Sequence, residues 1–238
     1  LAVFLAGCGS IITARIQSQR APRVPAGMLN RAQINRNVGT IKRESGLQIK
    51  PGKSYAAVRQ LVLRAQANPQ RLAEAAQVTL EQGQASRGYE RGASALAACE
   101  LAYQSLRESG LPPSSWLTSE ETRKAIAIYN TALAMFVFEY SRKLAGGTAT
   151  LSVQTPLGPR TVAARLAADS RYKAGYFDEL IPADYVKITG FNKRTRVNGL
   201  GVPLVGVRER TEARKAELSF QPPNRGVFVA LGCFAEFE

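Results

Sequence analysis

Three cysteines and no histidine decide which chemistries this 238-residue chain can attempt. Without imidazole there is no Ser-His-Asp or Cys-His pair and no His-ligated zinc, so thiols, carboxylates and serines are what remain. The string closest to a nucleophile elbow, Gly92-Ala93-Ser94-Ala95-Leu96, lacks the closing glycine and falls inside a helical pattern. Ser94 therefore reads as structural. The carboxylate neighbours Glu120 with Glu121 and Asp178 with Glu179 do not form an acid and base pair, because adjacent residues do not face one another on a helix; the first pair suits a helix N-terminus instead. Gly199-x-Gly201 is followed by Pro203 and no helix signal, which marks a tight turn rather than a dinucleotide loop. Asp178 and Asp184 flank an aromatic, proline-containing stretch that ends at Tyr185, and these three residues form a candidate binding loop. No catalytic residue, metal ligand or cofactor site is assigned. Of the thiols, Cys99 and Cys233 have two readings, a bridge in an oxidising compartment or two buried thiols, one on a helix face and one in a strand. Cys8 differs from both, since it directly follows an apolar run closing in small residues.

That run, Leu1-Ala2-Val3-Phe4-Leu5-Ala6-Gly7-Cys8, resembles the lipobox of bacterial lipoproteins, carried here by Leu5, Ala6, Gly7 and Cys8. Acyl transfer needs a thiol nucleophile at the bilayer surface, and the peptidase that follows needs small side chains in its cleft. The apolar stretch is too short to span a bilayer and reads as the end of a signal peptide, residues 1–7. The resemblance implies that Cys8 is the lipid attachment point, with each buried CH₂ of its acyl chains contributing about 0.8 kcal/mol to anchoring. Gly9, rather than Asp, follows the cysteine, which by that family's sorting rule implies the periplasmic face of the outer membrane.

The excess of 32 Lys/Arg over 18 Asp/Glu is unevenly spread. Residues 1–60 hold ten basic side chains against Glu44 alone, whereas the other 178 residues hold 22 against 17. With Pro22, Pro25 and Pro51 and little apolar periodicity, residues 8–53 read as a lipidated cysteine followed by a basic flexible tether. A basic arm beside a membrane anchor suits anionic lipid or cell-wall polymer. Nucleic acid is not an expected partner, because no aromatic residues are interleaved with the basic ones.

The elements that would carry these residues divide at about residue 147, giving an α+β chain. Residues 54–146 read as an antiparallel helical region. Ser54 caps a first helix; Asn68 and Pro69 open a second that carries Leu72, Ala76 and Leu80 and is expected to end at Gly83. A third, about 91–109, shows Leu96, Cys99, Tyr103 and Leu106 on one face. The fourth is expected to open on a capping box of Thr118 and Glu121 and to keep a stripe of Ile126, Tyr129, Leu133, Phe136 and Tyr140 up to Gly146-Gly147. Its apolar stretch is that of a buried core helix rather than a membrane span.

Residues 147–238 read as a small strand-rich module. Strands are expected at 148–153, Arg160 to Arg165, Val186 to Ile188, Thr195 to Val197, Pro203 to Val207 and Val227 to Phe237, with Tyr172 to Tyr185 as a polar and aromatic link. Ile128-Tyr129-Asn130-Thr131-Ala132-Leu133, Asp184-Tyr185-Val186 followed by Gly190-Phe191, Gly199-Leu200-Gly201-Val202-Pro203-Leu204-Val205 and Pro222-Pro223 together resemble the N-terminal half of predicted lipoproteins of the α/β-hydrolase superfamily. The resemblance implies an accessory region that precedes a hydrolase domain; residues 1–238 carry neither that domain's Gly-x-Ser-x-Gly nor its His. The module is therefore expected to be incomplete, cut within its last strand, with an edge open to self-association. The alternative is a stand-alone envelope interaction protein whose helical region holds a protein or cell-wall partner.

Overall fold

The computed structural model describes residues 60, 62, 63, 65, 68–146, 150–164, 172, 175–185, 199–208, 227–233, 235 and 237. Leu5 to Cys8, the tether, the Ser54 cap and the strands expected at 186–188 and 195–197 lie outside the described residues. Helices and two small antiparallel sheets make up the described part, an α+β architecture.

Asn68 opens α1 (Pro69–Ala85) as the sequence predicts, its side chain accepting the Arg71 N–H at 3.0 Å. Two residues later the chain turns into α2 (Gly88–Glu108). The pair is antiparallel: the Ser105 hydroxyl near the end of α2 donates to the carbonyl of Pro69 at the start of α1, at 2.7 Å. The inner face of α2 is built from Ala95, Ala97, Ala98, Cys99 and Ala102, all fully buried. Small side chains bring helices close, and two glycines bring them closer still. Gly83 does not end α1, which continues to Ala85; a Cβ at Gly83 would lie 3.0 Å from that of Ser94 on α2. Gly92 has the same role against the next helix, where a Cβ would lie 2.5 Å from the Tyr140 ring.

A 3₁₀ turn at Pro113–Ser115 leads into α3 (Glu120–Glu139). The expected capping box does not form. Ser119 is the N-cap residue without a side-chain cap bond, and the Thr118 hydroxyl is engaged with the Ser115 carbonyl. Thr122 ties the turn instead, its hydroxyl bonding the carbonyls of Trp116 and Ser119. The predicted stripe of Ile126, Tyr129, Leu133, Phe136 and Tyr140 is buried throughout. The helix does not run on to Gly146: it breaks at Tyr140 and resumes as the single turn α4 (Ser141–Leu144). Among the described residues, no helix is long and apolar enough to cross a membrane.

The first sheet is a hairpin of β1 (Thr150–Thr155) and β2 (Gly158–Ala163) around the turn Pro156-Leu157. Gly158 adopts φ +116°, which a side chain would resist, and Thr155 closes the turn by donating to the Gly158 carbonyl at 2.7 Å. Val153 enters the same core as the helices. The hairpin is locked to α2 by a two-pronged ion pair, Arg160 Nε to Glu100 Oε2 at 2.8 Å and Nη2 to Oε1 at 2.9 Å. Glu100 is buried at mid-helix, so this fork is what makes a charge tolerable there.

The second sheet has the order β3 (Glu179–Pro182), β4 (Val202–Arg208), β5 (Val227–Cys233), antiparallel throughout. β3 falls in the stretch expected to be a link. Four residues are too few to show alternation, and Pro182 hides the strand although an edge position tolerates it. Regular pairing of β5 ends at Cys233 rather than at Phe237. Ile181, Tyr185 and Val207 pack with Phe138 of α3, while Val202 and Leu204 join the helical core.

If the contact at Gly92 sets the distance between α2 and the end of α3, Gly92→Ala must displace a buried ring. The variant is expected to lose about 1–3 kcal/mol of stability, read as a lowered urea midpoint by circular dichroism. An unchanged midpoint would show that the close approach is not needed.

Candidate functional site

Two groups of side-chain contacts gather along α3, one at its C-terminal end and one at its middle. At its C-terminal end, the 3₁₀ turn Ala183–Tyr185 places the Tyr185 ring parallel to Phe138, with centroids 4.7 Å apart. Next to Phe138, Glu139 accepts from Arg91 of α2 at 3.1 Å, and Ser141 donates to Glu179 of β3 at 3.3 Å. Burial pushes the Glu139 carboxyl up, against the pull of Arg91. Burial likewise pushes the Tyr185 phenol up to about 12, with the negative charge of Glu139 adding to the rise. A phenol held that far up donates hydrogen bonds and does not act as a base near neutral pH.

The other two members of the candidate loop stand apart. Asp184 is exposed, whereas Asp178 is half-buried at the opposite end of β3 with its N–H donating to the Val207 carbonyl at 2.8 Å. Four residues of strand separate them, roughly 13 Å at the usual rise, so the two carboxylates cannot share a proton or a cation. Among the described residues, no group of three or more Cys, Asp or Glu could hold a metal ion. Ser94 is buried within α2.

Nearer the middle of α3, two of the segments that carry the sequence resemblance, 128–133 and 199–205, meet. The Asn130 amide donates to the Gly199 carbonyl and accepts from the Gly201 N–H, both at 2.8 Å. It takes the place of a backbone partner and holds the turn that feeds β4, where Gly201 sits at φ +126°. Its neighbour Tyr129 does the same for the end of β5: the phenol donates to the Ala235 carbonyl and accepts its N–H, both at 2.6 Å. Since Val202 pairs with Cys233, these two side chains fasten the same end of the sheet. Around Tyr129 stand Tyr103, 6.2 Å away, and through it Trp116 and Phe237.

The thiols Cys99 and Cys233 belong to this neighbourhood and are not joined in a disulfide. Burial pushes both up, Cys233 to about 11, which keeps them protonated and suppresses thiolate chemistry. Two partnerships had no legible signal: Arg91 with Glu139 is 48 positions apart, and Arg160 with Glu100 is 60 apart. The one hint was Glu100 itself, a lone acid within an alanine-rich apolar run.

Removing the Tyr129 hydroxyl strands the Ala235 N–H and carbonyl. Tyr129→Phe is expected to cost about 1–3 kcal/mol and to speed amide exchange at 233–237, while Asn130→Ala speeds it at 199–203. Unchanged exchange in those segments, with the protein still folded, would sink this account. The raised groups also set an alkaline limit. A pKa raised on folding stabilises fully below the unfolded value and is lost as pH climbs through the folded one; here the unfolded values are 9.0 for Cys and 10.0 for Tyr. The urea midpoint should hold to pH 8 and fall from about pH 9 upward, Cys233 alone accounting for about 2–3 kcal/mol once ionised. Cys233→Ala should flatten the first part of that fall, and an identical pH profile in the variant would refute the assignment.

Comparison with protein-family models, characterised proteins and solved structures finds no match for this chain.

Proposed function

We propose that this chain is a lipid-anchored protein of the bacterial cell envelope, attached through Cys8, in which residues 54–238 form an accessory region of an α/β-hydrolase-like lipoprotein. The observation that carries the anchor is the run Leu5-Ala6-Gly7-Cys8, an apolar segment narrowing to small residues before a thiol. The basic segment behind it supports the same reading, since nine cationic side chains at 8–53 against Glu44 hold a tether near anionic headgroups, each charge contributing about 1 kcal/mol. An accessory rather than catalytic role fits the chemistry of these residues. They offer no imidazole, Ser94 is buried in a helix, and the carboxylates of the Asp178 to Tyr185 loop do not converge. What α3 does instead is organise structure, holding the Gly199-Leu200-Gly201 turn and the end of β5. Within this reading β5, which pairs only with β4 among the described residues, is a place where a second copy can add a strand.

The anchor is tested by joining the chain to a complete signal start, expressing it in a bacterium fed labelled palmitate, and comparing it with Cys8→Ser. Label on the parent and none on the variant is expected; equal label on both would remove the lipoprotein reading. The hydrolase-like part is tested by reading the gene past the codon for Glu238. An open frame encoding Gly-x-Ser-x-Gly and then a His supports it, and an immediate stop favours the stand-alone interaction protein.

A further inference from the structure

One end of the helical bundle gathers the end of α1, the start of α2 and the turn after α3. There Tyr89 is 56% exposed. Its ring lies 4.9 Å from that of Tyr140, and the Lys143 ammonium sits 4.3 Å over it. Arg87 and Arg142 flank this pair in sequence, and both are exposed, as is Lys143. Glu139, the acid nearest by, is already committed to Arg91, which leaves three exposed cations against the exposed Glu90. At the opposite end of the bundle, where Leu117 is exposed, Arg71, Arg107 and Arg123 are set against Glu108 and Glu120, a smaller excess.

An exposed tyrosine among cations suits one environment in particular. At a bilayer surface the ring enters the interfacial layer while long basic side chains reach the phosphates. We infer that the face formed by Arg87, Tyr89, Arg142 and Lys143 is a membrane-contact surface that docks on a bilayer bearing anionic headgroups. The choice of a bilayer as occupant rests on the lipid-anchor reading, because an acylated Cys8 would keep this face within reach of a membrane. Charge complementarity selects anionic over neutral lipid. Docking would fix the orientation of a body that a tether alone leaves free to tumble.

The test uses the full chain with Cys8→Ser, so that it does not depend on acylation, and vesicles of phosphatidylglycerol with phosphatidylcholine or of phosphatidylcholine alone. Because the basic segment at 8–53 also binds such vesicles, the readout must be local. Amides of 86–91 and 141–146 should gain protection from exchange on the anionic vesicles only. Arg142→Gln and Lys143→Gln should each weaken binding about fivefold, and Tyr89→Ser should remove the local protection. Since these side chains are exposed, circular dichroism of the variants should match the parent. Unchanged affinity in the variants, or protection absent from these segments, overturns the proposal. So does protection produced by soluble anionic cell-wall polymer but not by vesicles, which would assign the face to that polymer instead.

Discussion

Two neighbouring side chains on one helix hold the larger sheet in place. Tyr129 and Asn130 satisfy main-chain groups at the exit of β5 and the entry of β4 respectively. A short three-stranded sheet has many backbone groups at its ends that no ladder bond can reach, and burying them unpaired costs about 1–3 kcal/mol each. Supplying partners from a rigid helix meets that cost and fixes the angle at which the sheet meets the core. It also accounts for the position of β4, whose Val202 and Leu204 lie in the same cluster as Leu101 and Leu133. The smaller hairpin is attached by a different means, the fork between Arg160 and Glu100.

The elements most legible in the sequence were those with local causes. Asn68-Pro69 announces the start of α1 because cap and first-turn chemistry are settled within four residues. The stripe on α3 is equally plain, since five large side chains at helical spacing leave one face to bury. Where local patterns compete, the fold departs from the nearest one. Thr118 and Glu121 have the spacing of a capping box, yet the helix starts at Glu120 and the threonine that ties the turn is Thr122. Gly83 resembled a helix stop because glycine serves both as terminator and as a site of close approach, and only the neighbouring helix decides which.

The candidate loop was legible in composition but not in geometry. Asp178, Asp184 and Tyr185 stood out as acids around aromatic residues, whereas the strand that separates the two acids is too short to show a period. The burial of Tyr185 depends on Phe138, which is far from it in sequence. Likewise nothing near Asn130 announced that its amide would close a turn 69 residues away. Asparagine on a helix is ordinary, and its role follows only from the topology that brings Gly199 to it.

The bond from Tyr129 to Ala235 spans 106 positions, and this orders events during synthesis. Helices α1 to α3 consist of local contacts and can form as soon as they emerge, but closing a loop of that length waits until almost the whole described chain is available. The helical part is thus made first; the turn before β4 then meets Asn130, and the segment after β5 meets Tyr129. In a chain synthesised from one end, the core matures in the order its ties are supplied, and the contact at Tyr129 closes only after a residue 106 positions later has been made.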